Sequence, residues 1–329
     1  MSQHTSGIKM YGDIKLYAGS GLPNLSQKIA DYLEQRLSPR EVIQFPNENI
    51  FIKLNNSARG QDVYVIQTTS SPVHYNLMEL LIMIQTIRMD SAARITAVVP
   101  YLCYGRSDKK DQPRVPITAR LVADMIESAG ADRYMTFDPH AGQIQGFFSV
   151  PGDVLTASHM ITDHIKDNLR DEMQDPVVVA TDLGFAKKGR NYALDLDVPI
   201  AFIEKRRTGN DAKAEALTLI GDVKGHDVII VDDEVDTGGS IAQAVDVVKK
   251  NGARDIYLAF IHPIFSKSAA QRLAELPIKR ILTTDTVPIP RAKMKPLEGR
   301  ITILSIAPLL GEVIRRAHEG RSVGEMFNE

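Results

Sequence analysis

Cysteine is almost missing from this chain of 329 residues, with Cys103 the single one. That excludes an intramolecular disulfide and a zinc site built from several thiolates, and it fits a reducing compartment. An excess of charge of one sign is missing too. The 39 Lys and Arg against 41 Asp and Glu leave a formal net charge of −2, so there is no whole-protein basic field of the kind that nucleic-acid binders carry. A local basic patch stays open. The N-terminal stretch MSQHTSGIKMYGDIKLYAG lacks an apolar core long enough for a signal peptide, and no later run approaches a membrane span. The expectation is a cytoplasmic protein with neither membrane nor nucleic acid as partner. What is present is the composition of a globular protein, 43% hydrophobic and 24% charged, on a chain long enough for two domains.

Short apolar runs alternate with amphipathic stretches. Residues 14–19, 62–67, 94–101 and 133–138 read as strands, with helices at 22–37, 76–89 and 117–130 between them. After Pro151 the rhythm restarts, with helices at 157–169 and 186–197 and strands at 176–182, 199–205, 227–233, 255–262 and 279–285. Near-continuous apolar strands alternating with helices predict an α/β fold of mainly parallel sheets covered by helices on both faces. The expected domains are 1–152 and 153–305, and the strand-plus-helix pattern of 301–320 makes the C-terminal helix, 306–329, a candidate to complete the first domain. The polar stretch TGNDAKAEA, residues 208–216, is a candidate mobile flap.

The run VIIVDDEVDTGGS, residues 228–240, carries the most chemistry. Four apolar residues read as a buried strand. They stop at Asp232 and Asp233, a third aspartate follows at Asp236, and the turn Thr237-Gly238-Gly239-Ser240 opens a helix-like run. Adjacent carboxylates at the end of an apolar strand repel each other and need hydroxyl donors or cations nearby. A glycine turn leading into a helix N-terminus offers backbone N–H groups to a phosphate. Together they suit a phosphorylated polyol. The lysine of a P-loop is missing, so this is not a nucleotide-binding site of that type.

Three more constellations sit at strand ends, where open α/β sheets place ligands. His140, in DPHAGQIQGFF, is placed to ligate a divalent metal or contact a phosphate, although a lone histidine there is more commonly a surface residue. Asp182, in ATDLGFAKKGR, ends an apolar strand beside Gly184 and before Lys187, Lys188 and Arg190; a helix cap with a solvated basic face accounts for it equally well. In IEKRRTGN, cations gather at a strand end, which suits either a phosphate clamp or a solvated charge run. The stretch 100–120 is a polar loop rich in charge and proline.

Read together, NLMELLIMI, RITAVVPY, DPHAGQIQGFF, EKRR and VDDEVDTGGS occur in the order of the ribose-phosphate pyrophosphokinases, which the chain resembles from IKLYAG to LLGEVIRRAHEG. The resemblance implies two type I phosphoribosyltransferase-like domains. It implies transfer of diphosphate from ATP to the 1-hydroxyl of ribose 5-phosphate, with AMP as the other product, for nucleotide biosynthesis. By position it assigns ribose 5-phosphate to Arg207, Asp232, Asp233, Asp236, Thr237, Gly238, Gly239 and Ser240, and catalysis to Lys205 and Arg207 on the flap. It assigns magnesium to His140 and Asp182, adenine stacking to Phe45, and other ATP contacts to Asn47, Glu48, Asn49, Arg106 and Ser107. A homohexamer built from dimers, with phosphate and ADP as effectors, is implied as well, the regulatory phosphate site bordering Ser57 and Arg59. A non-catalytic homologue that regulates oligomers and a phosphoribosyltransferase are the alternatives; the retained flap cations oppose the first, and the lack of a base-binding hood opposes the second.

The chain departs from the family's pattern mainly on the nucleotide side. Asn49 stands for a carboxylate, Glu48 for a small residue and Ser107 for glutamine. Pro139 stands for leucine, and Thr181 and Phe185 interrupt the usual Pro-Asp-x-Gly-Gly. The ribose-phosphate turn is almost untouched.

Overall fold

Two separate sheets organise the computed structural model, which describes residues 11–207 and 215–327. They lie in two units, Met1–Leu155 with Ile306–Glu329, and Thr156–Ser305. The first unit begins with β1 (Ile14–Ala18), α1 (Pro23–Tyr32), the strands β2 (Arg40–Gln44) and β3 (Ile50–Leu54), β4 (Asp62–Ile66) and α2 (Val73–Met89). It continues with β5 (Arg94–Val98), α3 (Thr118–Ala129), β6 (Arg133–Phe137) and β7 (Gly152–Leu155). The sheet order is β1-β4-β5-β6-β7, parallel throughout, while β2 and β3 form a separate antiparallel hairpin. Every residue of β4 and β5 is buried, which is why those strands read as unbroken apolar runs. Helix α2 packs on β4 and β5, on β3 of the hairpin and on α3, so it is apolar on more than one side.

The second unit runs through α4 (Ser158–Asn168), β8 (Val177–Ala180), α5 (Ala186–Leu196), β9 (Ile200–Arg207), β10 (Glu215–Ile220) and β11 (Val228–Val235). Then come α6 (Gly239–Lys250), β12 (Ile256–Pro263), α7 (Ala269–Glu275), β13 (Arg280–Thr284), α8 (Arg291–Met294) and β14 (Ile301–Leu304). Its sheet has the order β10-β9-β8-β11-β12-β13-β14, with β10 antiparallel to β9 and the other pairs parallel. At the base of β11, the buried Asp227 accepts from Arg254 Nε at 2.8 Å and from the Gln174 and Asp255 N–H groups at 2.8 and 3.1 Å. Burial works to raise its carboxyl, but Arg254 and the two N–H donors outweigh it and hold the group below the usual carboxylate value.

The chain then returns to the first unit as α9 (Ala307–Glu319), which packs on α1. Arg94 donates to the Ala317 carbonyl at 3.1 Å while gripping the buried Asp62 through Nε at 2.7 Å, and His318 Nδ1 lies 2.8 Å from the same carboxylate.

Mainly parallel sheets flanked by helices agree with the α/β alternation of the sequence. Four local expectations change. The helix expected over 22–37 stops at Tyr32, and Glu34 takes a left-handed backbone with φ of 54°. The hairpin β2/β3 and the short β7 were not anticipated; REVIQ and GDVL carry too few apolar residues to stand out. Glu215 and Ala216, expected in the flap, belong to β10. The rest of the flap, 208–214, lies outside the described residues. No helix among the described residues is long and apolar enough to cross a membrane.

Candidate active site

The acidic turn of the second unit is built by β11 and α6. Strand β11 lies between β8 and β12 in the sheet, so its apolar residues are buried until Asp232. Asp232 Oδ1 accepts the Asp233 N–H at 2.9 Å, and Oδ2 accepts the Thr181 hydroxyl at 2.9 Å. Asp233, itself buried, accepts the Glu234 N–H at 2.8 Å. Burial first, and the neighbouring Asp233 charge second, push the Asp232 carboxyl well above the ordinary carboxylate value. Such a pair is suited to hydroxyl donors or a cation.

Beyond the acids, Asp236 and Thr237 lead to Gly238, whose φ of 74° is the left-handed conformation that glycine adopts without strain. Gly238 is the N-cap of α6, with no side-chain cap on the helix. The first N–H groups of α6, from Gly239 and Ser240 onward, therefore have no intrahelical acceptor and are available to an anion. Arg272 on α7 donates to the Thr237 carbonyl at 2.9 Å. Its guanidinium also lies 3.5 Å from where a Cβ on Gly239 would stand. The sequence carried no signal for Arg272, because more than thirty residues separate it from the turn and only the α6–α7 packing brings it there.

Asp182 follows β8. Its Oδ1 accepts the Phe185 N–H at 2.9 Å in the turn before α5, a helix without a side-chain cap, and Oδ2 remains for a cation. A Cβ at Gly184 would stand 3.1 Å from Oδ1, so a side chain there would crowd the carboxylate. Phe185 is buried at the helix start and has the Lys188 ammonium 5.7 Å over its ring. Lys205 and Arg207 are backbone members of β9; their side chains lie outside the described residues.

The expected nucleotide residues occupy two separate places in the first unit. Phe45 to Asn49 form the loop of the hairpin, closed by Phe45 N–H to the Asn49 carbonyl at 2.8 Å and Glu48 N–H to the Phe45 carbonyl at 2.8 Å. Glu48 has φ of 67°, a position a smaller residue would take more easily. Asn47 Oδ1 accepts the Asn49 N–H at 3.2 Å, an Asx-type stabilisation of the loop. Phe45 is 46% exposed, its ring 6.3 Å from that of Phe51, which is also exposed. The loop borders a cleft of about 730 Å³ that Pro72, His74, Tyr75 and Met78 of the α2 entry also line.

Arg106 and Ser107 stand instead at the entry to α3. Arg106 is exposed. The Ser107 hydroxyl accepts the Thr118 N–H at 3.2 Å and lies 3.2 Å from the Thr118 hydroxyl, so it caps α3 from a distant loop. His140 is exposed and adjoins the same loop, its Cβ 3.3 Å from where a Cβ on Gly105 would stand. Asp138, two residues earlier, is buried with φ of 35°. No group of three or more His, Cys, Asp or Glu arranged to hold a metal occurs among the described residues.

Two family models match this chain, the second running from the second unit into the C-terminal segment of the first. The family described as the N-terminal domain of ribose phosphate pyrophosphokinase matches residues 14–130, and the phosphoribosyl synthetase-associated domain matches residues 208–328. A ribose-phosphate pyrophosphokinase of Aquifex aeolicus (strain VF5) is 42% identical over 314 residues, 95% of this chain and 99% of its own length. One from Caldanaerobacter subterraneus subsp. tengcongensis is 43% identical over 314 residues, 95% of this chain and 98% of its own. The crystal structure of phosphoribosylpyrophosphate synthetase from Mycobacterium smegmatis matches with a TM-score of 0.88 at 40% identity, covering 94% of this chain and 99% of that one. Fold and strand-end turn thus define an α/β protein of mainly parallel sheets with an anion-suited turn at a strand end. Similarity over nearly the full length narrows the class: the chain belongs to the ribose-phosphate pyrophosphokinase family.

Proposed function

We propose that the protein transfers the diphosphoryl group of ATP to the 1-hydroxyl of D-ribose 5-phosphate, giving 5-phospho-ribose 1-diphosphate and AMP for nucleotide biosynthesis. The observation that carries this reading is the strand end 232–240, where paired carboxylates and an uncapped helix N-terminus adjoin in a chain about 40% identical, end to end, to ribose-phosphate pyrophosphokinases. The turn from Asp236 to Ser240 takes the 5-phosphate on backbone N–H groups. Asp232 and Asp233 accept hydrogen bonds from the ribose hydroxyls. The 1-hydroxyl attacks the β-phosphorus with AMP leaving in line, a reaction that needs alignment and charge neutralisation more than covalent help. Lys205 and Arg207 supply that neutralisation from the flap, Arg207 also reaching the sugar phosphate. Phe45 offers its exposed ring to adenine. Asn47, Glu48 and Asn49 meet the nucleotide beside it, and Arg106 meets its phosphates. Ser107, occupied at Thr118, holds the loop that carries Arg106. In this division the nucleotide residues belong to a domain of 1–152 completed by 306–329, and the ribose-phosphate turn and flap to 153–305.

Magnesium fits this donor set through Asp182, a hard carboxylate with one oxygen left for a cation. An imidazole is a poor magnesium ligand, so His140 suits a water-mediated or phosphate contact better than direct coordination. The ion, when bound, neutralises phosphate oxygens and makes the β-phosphorus more electrophilic. The reading extends to a cytoplasmic homohexamer built from dimers, responsive to phosphate and ADP. ATP and sugar phosphates are intracellular metabolites, which supports that setting.

Incubating the purified protein with ATP, magnesium and ribose 5-phosphate should release AMP and 5-phospho-ribose 1-diphosphate in equal amounts, resolved by anion-exchange chromatography. Hydrolysis of ATP without a sugar product, or no reaction, overturns the reading. A panel of other nucleoside triphosphates reads out what Glu48 and Asn49 do to donor choice.

A further inference from the structure

Beside the Asp232 carboxylate stands a residue that none of the roles above uses. Strands β8 and β11 pair in parallel register up to Ala180 and Val231, so the next residues, Thr181 and Asp232, come side by side where the strands end. Thr181 is 3% exposed, and its hydroxyl donates to Asp232 Oδ2 at 2.9 Å. The other oxygen, Oδ1, accepts the Asp233 N–H at 2.9 Å.

A carboxylate hinged only at its Cβ turns freely, because the terminal torsion of aspartate has a broad well. The Asp233 carboxyl next to it both repels its charge and hydrogen-bonds with it, so its orientation needs further anchors. Hydrogen bonds to both oxygens, one from each side, remove that freedom. Each carboxylate oxygen has about two acceptor positions. One on each is taken, and the Asp233 side chain also hydrogen-bonds with this carboxyl, so the acceptor positions that remain lie in a plane set by Thr181 and Asp233. Two acceptors held in this way match two hydroxyls on adjacent carbons.

We propose that Thr181 is the positioning residue of the sugar site, holding Asp232 as a two-point acceptor for a vicinal diol and thereby favouring a sugar phosphate that has one. This rests on the assignment of Asp232 to ribose 5-phosphate. Thr181 touches no substrate; it acts through the carboxylate.

Thr181→Val keeps the shape and the β-branch and removes only the donor. Thr181→Ser restores a donor, and Thr181→Ala removes it without the branch. The expected result for the valine variant is a KM for ribose 5-phosphate raised about tenfold, the size of one charge-assisted hydrogen bond, with the KM for ATP unchanged. Preference for ribose 5-phosphate over 2-deoxyribose 5-phosphate, taken as a ratio of kcat/KM, should shrink by a similar factor, and the serine variant should recover most of both. If the valine variant does not fold, the alanine and serine variants carry the same contrast. Equal movement of both KM values, an unchanged sugar preference, or no rescue by serine overturns the proposal. Calorimetric titration with ribose 5-phosphate alone separates this from the reaction itself. A wild-type protein that makes no AMP defeats the functional reading, whereas an active wild type whose sugar affinity is untouched in Thr181→Val and Thr181→Ala defeats this one.

Discussion

Single side chains divide here between those that face chemistry and those kept from it. Lys205 is proposed to act only as charge builds on the transferring group, so Lys205→Ala should lower kcat about 100-fold, comparable to losing one electrostatic stabiliser. Its affinity for ribose 5-phosphate, measured by calorimetry, should stay within about twofold, because uniform binding is not what the lysine supplies. A fall in affinity with kcat unchanged would move Lys205 to substrate binding. Cys103 lies at the opposite extreme. It is buried, and burial pushes its thiol up to about 11. The thiolate is the reactive form, so at pH 8 native protein should resist alkylation by iodoacetamide and react fully in urea, as mass spectrometry would read. Rapid native labelling would mean that the region around Cys103 opens.

At the scale of elements, the sugar-phosphate turn depends on a helix that makes no claim on the ligand. Arg272 ties α7 to the Thr237 carbonyl, and α6 packs against α7. Because the carbonyl and N–H of a trans peptide point in opposite directions, fixing the Thr237 oxygen also fixes where the Gly238 N–H points. Arg272→Ala should raise the KM for ribose 5-phosphate about fivefold, the worth of about 1 kcal/mol, while the melting temperature moves little. A large loss of stability with normal sugar affinity would make Arg272 a packing residue instead. The hairpin loop at Glu48 shows a different balance. Its left-handed backbone at a non-glycine residue is local strain in a segment otherwise held by two backbone hydrogen bonds and Asn47. The tight loop leaves Phe45 exposed beside Phe51.

Across each unit, a buried aspartate ties distant parts of the chain. Asp62, Arg94 and His318 attach α9 to the start of β4 and β5, and Asp227 with Arg254 and Gln174 closes the base of the second sheet. Asp227 gives a pH dependence whose direction follows from its lowered carboxyl. Its stabilisation is fully present above the unfolded carboxyl's pKa of about 4, and it is lost as pH falls through the lower folded value. Urea unfolding should therefore show Asp227→Asn markedly less stable than wild type at pH 7, with the gap closing as pH falls below about 4. A gap independent of pH would assign the loss to packing or to the amide's poorer hydrogen bonds.

Much of this was legible without coordinates. Buried parallel strands must be apolar on both faces, so β4, β5, β8 and β11 announce themselves, and the change from Val231 to Asp232 marks where the ligand end of a strand begins. The order of motifs along the chain sufficed for the family. Hidden in the sequence were elements whose pattern is mixed, such as the exposed hairpin β2/β3 and the antiparallel edge strand β10, because edge strands need no continuous apolar run. Hidden as well were the partners of the site residues. Thr181 meets Asp232 across 51 positions of chain, and Arg272 reaches Thr237 across 35. The same holds for Ser107, whose hydroxyl is turned to the start of α3. Residue types and their order along the chain determine which chemistry is available; strand register and helix packing decide which groups meet, because a hydrogen bond depends on distances that spacing along the chain does not set.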